Sequence, residues 1–152
     1  MTARALLIGT LLAAPALGAD PFAGTWVMNT AASSYMSGDL PQAMTIEVDV
    51  GERGEHYRSR TVRANRTLAT AEYTAGYDGR LAMVIGDSGL LSPVSLKRIG
   101  TSTVEATYKR AFQSIAHSVR VLSADGHTMT ITTTINGEAI NAVNIGVYSK
   151  VR

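Results

Sequence analysis

The string Gly86-Asp87-Ser88-Gly89-Leu90 is the stretch of this chain that reads most like a nucleophile motif. A serine nucleophile needs a base within hydrogen-bond reach and donors for the oxyanion. The same letters also serve a tight turn, where glycine supplies positive φ and Asp and Ser bond to nearby backbone. The turn is the preferred reading, because no base is paired with Ser88 by any recognisable spacing. The three histidines, His56, His117 and His127, show neither i, i+2 spacing on a strand nor i, i+4 spacing on a helix, so no metal site is expected. The carboxylates are scattered through turns, and no acid/base pair stands out. With no cysteine in the chain, thiolate nucleophiles, zinc–thiolate sites and iron–sulfur clusters are excluded. No catalytic residue, metal ligand or cofactor is therefore assigned.

Binding is better supported. Val104, Ala106, Tyr108 and Arg110 alternate along one face of a strand-like run. Ala69, Ala71, Tyr73, Ala75 and Tyr77 do so along another, and His117 shares a face with Ile115, Val119 and Val121. Tyr148 lies among the small residues Ala142 and Gly146. Ligand pockets are mostly apolar with a few placed polar groups. The candidate ligand-binding residues are thus Tyr73, Ala106, Tyr108, Arg110, His117 and Tyr148. The competing reading is that these side chains fill an interior or cover a surface. Arg58, Arg60, Arg63 and Arg66 could hold an anion, but on a polar strand they read better as a solvated edge.

These residues sit on a regular succession of short runs. From Gly24 onward there are ten: 24–28, 44–50, 56–63, 68–77, 81–85, 94–99, 104–112, 114–122, 129–135 and 140–151. In the second, Met44, Ile46, Val48 and Val50 alternate with Thr45, Glu47 and Asp49, the period of a half-buried strand. The run from His56 to Arg63 is polar on both faces and reads as an edge or as a strand facing a polar lumen. Asp78-Gly79, Asp125-Gly126 and Asn136-Gly137 are hairpin signals. The gaps are too short for helical crossovers, so consecutive antiparallel strands form a meander. Closing it into a barrel removes the exposed edges. The expected fold is all-β, an antiparallel up-and-down barrel of eight to ten strands, without a domain boundary or repeat.

Residues 1–19 have a different character. Arg4 is a positive start, Ala5 to Ala14 is a short apolar run, Pro15 breaks it, and Leu17-Gly18-Ala19 precedes Asp20. This is the layout of a secretory signal peptide. The apolar run is shorter than the roughly 20 residues that span a bilayer. The expectation is a leader over 1–19 and a barrel domain over 20–152, periplasmic or secreted, with no integral membrane segment after cleavage. The formal charge of +2 falls to +1 when Arg4 is removed, which gives no field for nucleic acid.

Gly24-Thr25-Trp26, just after Phe22, resembles the Gly-x-Trp signature that opens lipocalins and their calycin relatives, with Gly24 and Trp26 as its structural residues. Val147-Tyr148-Ser149-Lys150-Val151 is similar to the closing strand of fatty-acid-binding proteins, and Asp125 to Ile131 resembles a late hairpin of that superfamily. Tyr77-Asp78-Gly79, Val94 to Arg98 and Thr107-Tyr108-Lys109 complete a likeness to small exported lipocalin-like bacterial proteins over most of the mature chain. The resemblance implies a calycin barrel, and a cation from Lys150 or Arg152 over the tryptophan. The chain departs from fatty-acid-binding proteins in two places. Gly146 stands where their carboxylate clamp has an arginine, and the stretch from Asn29 to Gln42 is short for a two-helix lid. The function expected is binding of a small, largely apolar molecule in the lumen. The alternatives are an envelope interaction protein with a filled barrel, or an enzyme on the same barrel.

Overall fold

The computed structural model describes residues 18–87 and 92–151. The expected leader up to residue 17 and Ser88 of the Gly-Asp-Ser string lie outside the described residues. Twelve strands follow one another: β1 (Gly24–Met28), β2 (Ser34–Tyr35), β3 (Ala43–Gly51), β4 (Gly54–Val62), β5 (Leu68–Ala75), β6 (Asp78–Ala82), β7 (Ile85–Gly86), β8 (Val94–Ile99), β9 (Thr103–Arg110), β10 (Gln113–Leu122), β11 (Thr128–Ile135) and β12 (Ala142–Lys150). One 3-10 turn, Thr30–Ala32, is the helical element among the described residues. All the ladders are antiparallel, in the order β6-β8-β9-β10-β11-β12-β1-β3-β4-β5-β7, with β2 added to β12. β1 pairs with both β12 and β3, so the two ends of the meander meet. The free edges β5 and β6 lie against each other without a ladder, which makes a curled sheet wrapped into an incompletely hydrogen-bonded barrel.

Nine of the ten expected runs correspond to longer strands, and the run 81–85 straddles the end of β6 and the start of β7. Two of the three hairpin signals act differently from expectation. Gly79 takes φ +78° inside β6, where the register with β8 shifts, so Asp78-Gly79 makes an irregularity and not a β5–β6 hairpin. Residues 136–141 separate β11 from β12, and Asn136 instead donates its backbone N–H to the Ile115 carbonyl and its side-chain amide to that of Ser114. Gly126, at φ +72°, does turn the chain between β10 and β11. β4 is no edge, because β3 and β5 flank it over its whole length. Its inner face carries Glu55, Tyr57, Ser59 and Thr61, all buried. Arg58 and Arg60 point outward, and Arg58 pairs with Glu47 at 3.1 Å and Asp49 at 3.0 Å.

One end of the barrel is plugged. Trp26 is fully buried and its indole N–H donates to the Phe22 carbonyl at 2.9 Å. Lys150 lies 5.1 Å above the Trp26 ring and donates to the Pro21 carbonyl at 2.9 Å. The segment before β1 is thus strapped across the barrel end. Arg98 is sandwiched between the rings of Phe22 (5.2 Å) and Tyr77 (5.0 Å) and holds the Asp20 carboxylate with two hydrogen bonds. Partial burial pushes the Asp20 carboxyl up, but the Arg98 hydrogen bond and charge and the Phe22 N–H prevail and hold it below its ordinary value.

Trp26 buries its large ring and satisfies its one donor, so truncation opens a cavity at the plug. Trp26→Ala is expected to cost roughly 3–5 kcal/mol in urea denaturation; a midpoint near wild type would place the ring outside the core. The depressed Asp20 pKa means that its contribution to stability is complete above the ordinary carboxylate range and is lost as pH falls below about 4. Asp20→Asn should therefore flatten the acid limb of the stability–pH curve and leave its alkaline limb alone.

Candidate functional site

Inside the wrapped sheet lies a cavity of about 380 Å³. Alternation along each strand decides which residues reach it. Met44 on β3 and Ile131 and Ile135 on β11 supply apolar wall, and Pro41 covers the open end. Tyr57, Tyr73, Tyr108 and Tyr148 bring four rings inward from β4, β5, β9 and β12. Tyr57 and Tyr73 stack with centroids 4.8 Å apart and planes 9° from parallel, so the first of these rings is fixed by the second. Burial pushes the hydroxyls of Tyr57, Tyr73, Tyr108 and Tyr148 upward in pKa, so all four are neutral donors at physiological pH.

The floor is ionic. Arg120 on β10 and Glu55 on β4 have side chains 3% and 0% exposed, and Arg120 Nη2 donates to Glu55 Oε1 at 2.8 Å. The Tyr73 hydroxyl donates to the same oxygen at 3.0 Å, and the Tyr77 hydroxyl donates to Oε2 at 3.1 Å. The guanidinium lies between the rings of Phe22 (6.0 Å) and Tyr57 (5.9 Å). Burial would push Arg120 down, but Glu55 prevails and raises it. Arg120 Nη1, Thr61 Oγ1 and Ser59 Oγ are buried without a hydrogen-bond partner, and Arg120 and Thr61 line the cavity. Buried polar atoms usually find a partner, so Arg120 Nη1, at the floor of the cavity, is free to face a ligand, while Thr61 Oγ1 stands beside Met44 at the other end of β4.

The mouth is held by Asn144. Its Oδ1 accepts from the backbone N–H groups of Met36 (2.8 Å) and Ser37 (3.0 Å), and its Nδ2 donates to the Ser37 carbonyl at 2.9 Å. These bonds fold the segment after β2 over the opening, where Ser37, Gly38 and Asp39 border the cavity.

Of the sequence-predicted residues, Tyr73, Tyr108 and Tyr148 come together on the cavity wall. Ala106 faces inward but is packed in the core away from that wall. Arg110 is exposed at the end of β9. His117 is on the outer face of β10, its ring 3.4 Å from the Thr107 hydroxyl on β9. The inner face of β10 is Ala116, Ser118, Arg120 and Leu122. The apolar alternation of Val119 and Val121 pointed to the opposite face, while Ile115 reaches the core at the register shift between Ser114 and Ala116. Arg120, Glu55, Tyr57 and Thr61 were thereby missed, although the alternation of Tyr57, Ser59 and Thr61 with Arg58 and Arg60 carried the signal of a polar inner face. Gly24 opens β1 at φ +136°, and Trp26 belongs to the plug. Gly146 does not create empty volume: a Cβ there would come within 2.8 Å of the Tyr148 ring, which folds back over it. The Gly86-Asp87 pair binds β7 to β5, with Asp87 Oδ1 accepting from Thr70 N–H at 2.8 Å. Among the described residues no group of three or more His, Cys, Asp or Glu could hold a metal ion, and no helix is long and apolar enough to cross a membrane.

No family model matches the chain, and no curated protein matches it. Among solved structures, the chain is similar to that of zebrafish ileal bile acid-binding protein complexed with cholic acid. The TM-score is 0.51 at 12% identity, over 86% of this chain and 99% of that one. At that identity the likeness shows the fold, which is a calycin-like β-barrel.

The buried pair dictates how the site responds to substitution. Arg120→Met leaves the Glu55 carboxylate buried without its cation and should cost about 3–5 kcal/mol in chemical denaturation. Adding Glu55→Gln to that variant should restore much of the loss, because the uncompensated charge disappears with it. A double variant no more stable than the single one would contradict this account.

Proposed function

We propose that the protein is an exported binding protein that buries a small, largely apolar molecule in the barrel lumen. The observation that carries this reading is the cavity itself, about 380 Å³ with an apolar and aromatic wall and the unpartnered Arg120 Nη1 donor at its floor. A pocket with that distribution orients an amphipathic guest, apolar body toward Met44 and Ile135 and polar end toward Arg120 at the floor. The structural neighbour, with its cholic acid, supports small-molecule binding in a barrel of this kind. Export is supported by the leader-like residues 1–19 and by the plug, whose first ion-paired residue is Asp20, directly after the small residues of the expected cleavage point.

An environment-sensitive apolar dye should bind the purified protein at a single saturable site. Thr133→Trp, which places a large ring on the cavity wall, should abolish that signal while circular dichroism stays native. A folded Thr133→Trp protein that still binds the dye would put the site elsewhere, and a wild type that binds none of a varied panel of lipophiles would leave a filled barrel. Intact-mass measurement of protein recovered from the periplasm or medium should show loss of residues 1–19; recovery only in the cytoplasm with Met1 retained would remove the export reading.

A further inference from the structure

We propose that the polar end of the ligand is an uncharged hydrogen-bond acceptor, an ester, ketone, amide or hydroxyl oxygen, and that the lumen discriminates against carboxylates and phosphates. This rests on the lumen-binding reading above. Its basis is a count of charge and of free donors at the floor.

Two arginines stand at that end of the barrel, and each already has its own carboxylate: Arg120 with Glu55, and Arg98 with Asp20. The floor is therefore electrically balanced before any ligand enters. Glu55 is fully buried and takes all of its donors from inside the barrel, namely Arg120 Nη2 and the hydroxyls of Tyr73 and Tyr77. It cannot swing into solvent to make room for a second anion. A ligand carboxylate placed against Arg120 would be a third buried charge beside a pair that is already neutral. It would lose its hydration without gaining an uncompensated cation. At the mouth the bordering charged residue is the acidic Asp39, which adds no attraction for an anion.

The donor that remains at the floor matches a neutral acceptor. Arg120 Nη1 can give one hydrogen bond and is buried and unpartnered on a residue that lines the cavity, whereas the unpartnered Thr61 hydroxyl stands beside Met44 at the other end of β4 and is not part of the floor. The Tyr108 hydroxyl is engaged with Ser118 Oγ at 3.2 Å and that of Tyr148 with Met44 Sδ at 3.2 Å, so they are not free to build a larger anion cradle. Because the Arg120 N–H is charge-assisted, one oxygen held there is held firmly. The last strand offers no second cation, since Gly146 occupies the inward position before Tyr148.

The test compares methyl decanoate with decanoate at neutral pH, each displacing a prebound apolar dye, in wild type and in Glu55→Gln. Wild type should take the ester at least about tenfold more tightly than the ionised acid. Glu55→Gln leaves the Arg120 charge unmatched, so the acid should gain on the ester by about tenfold or more relative to wild type. That change of ratio is free of any difference in how the two probes partition from water. If Glu55→Gln does not fold, the wild-type ratio decides after correction for the two probes' measured partition from water into octanol. Dye binding with decanoate equal to or tighter than methyl decanoate overturns the proposal while leaving the lumen reading intact. Failure of the dye to bind overturns the lumen reading, and this proposal with it.

Discussion

The buried pair between Arg120 and Glu55 is the contact on which the interior is organised. The two residues are 65 positions apart in sequence and come from β10 and β4, which no ladder joins. Their bond spans the lumen, and Tyr73 and Tyr77 extend it to β5 and to the segment entering β6. It therefore ties the wrapped sheet together beside the seam where β5 and β6 meet without ladder hydrogen bonds. Burying both ions is costly, and a well-packed apolar pair of the same volume would often serve stability as well or better. What the ions supply is a geometry: both sides of the barrel must be in register for all three donors to reach one carboxylate. Packing at the floor then stops at the guanidinium plane, with Phe22 below it and the cavity above.

The cavity exists because the inward tyrosines are braced by one another and by the floor and do not collapse into the centre. Tyr57 is stacked on Tyr73, Tyr73 is pinned by Glu55, Tyr108 by Ser118, and Tyr148 lies back on Gly146. The small residues of β5, Ala69, Ala71 and Ala75, are buried in close packing and leave no open lumen of their own. Volume arises instead where long side chains are held against the wall. A lumen of this kind is set by fixed polar ends of aromatic side chains, and its shape is correspondingly sensitive to the loss of any single anchor.

The strands were legible in the sequence because turn residues and period-two alternation report local geometry directly. Nine runs became long strands and the run 81–85 straddles β6 and β7, while β4, read as either an edge or a strand facing a polar lumen, proved to be the second, and its preferred reading as a solvated arginine edge failed. The inward faces were less legible. On β10 the β-branched residues Val119 and Val121 face outward and are only partly covered, Ile115 packs against the core at the register shift between Ser114 and Ala116, and Ser118 and Arg120 go in. A barrel one strand thick places strand-favouring side chains on its outside as readily as on its inside, so hydrophobicity alone does not choose the face. The rule that would have chosen it is satisfaction. If Glu55 on β4 is inward, a cation must be inward on a facing strand, and Arg120 is the arginine whose alternation with Ser118 and Leu122 permits that. Such a deduction needs the pairing order first, which a single sequence states only weakly. Asp78-Gly79 misled for a related reason. The dipeptide specifies a positive φ at Gly79, and a bulge inside a strand uses that conformation as well as a hairpin does.

The two ends of the barrel differ in what it takes to open them, and this difference assigns them roles. Opening the closed end would expose Trp26 and Phe22, break the Asp20–Arg98 pair and free Lys150 from both the indole face and the Pro21 carbonyl. Opening the other end requires the release of residues 36 and 37 from three hydrogen bonds to one part-exposed amide, Asn144, and from the Met36 N–H bond to the Val143 carbonyl. Water can replace those bonds as the loop lifts, whereas it cannot replace the lost burial of the plug. Local openings in proteins follow the smallest such loss. Exchange between lumen and solvent therefore runs past Asn144, with the ionic floor as a fixed stop. A molecule entering this way would meet Asp39, then the wall of Met44 and Ile135, then the Arg120 donor, so its polar end would have to travel through the apolar zone before reaching the floor. That order of contacts itself disfavours a charged leading group, in agreement with the balance of charge at the floor.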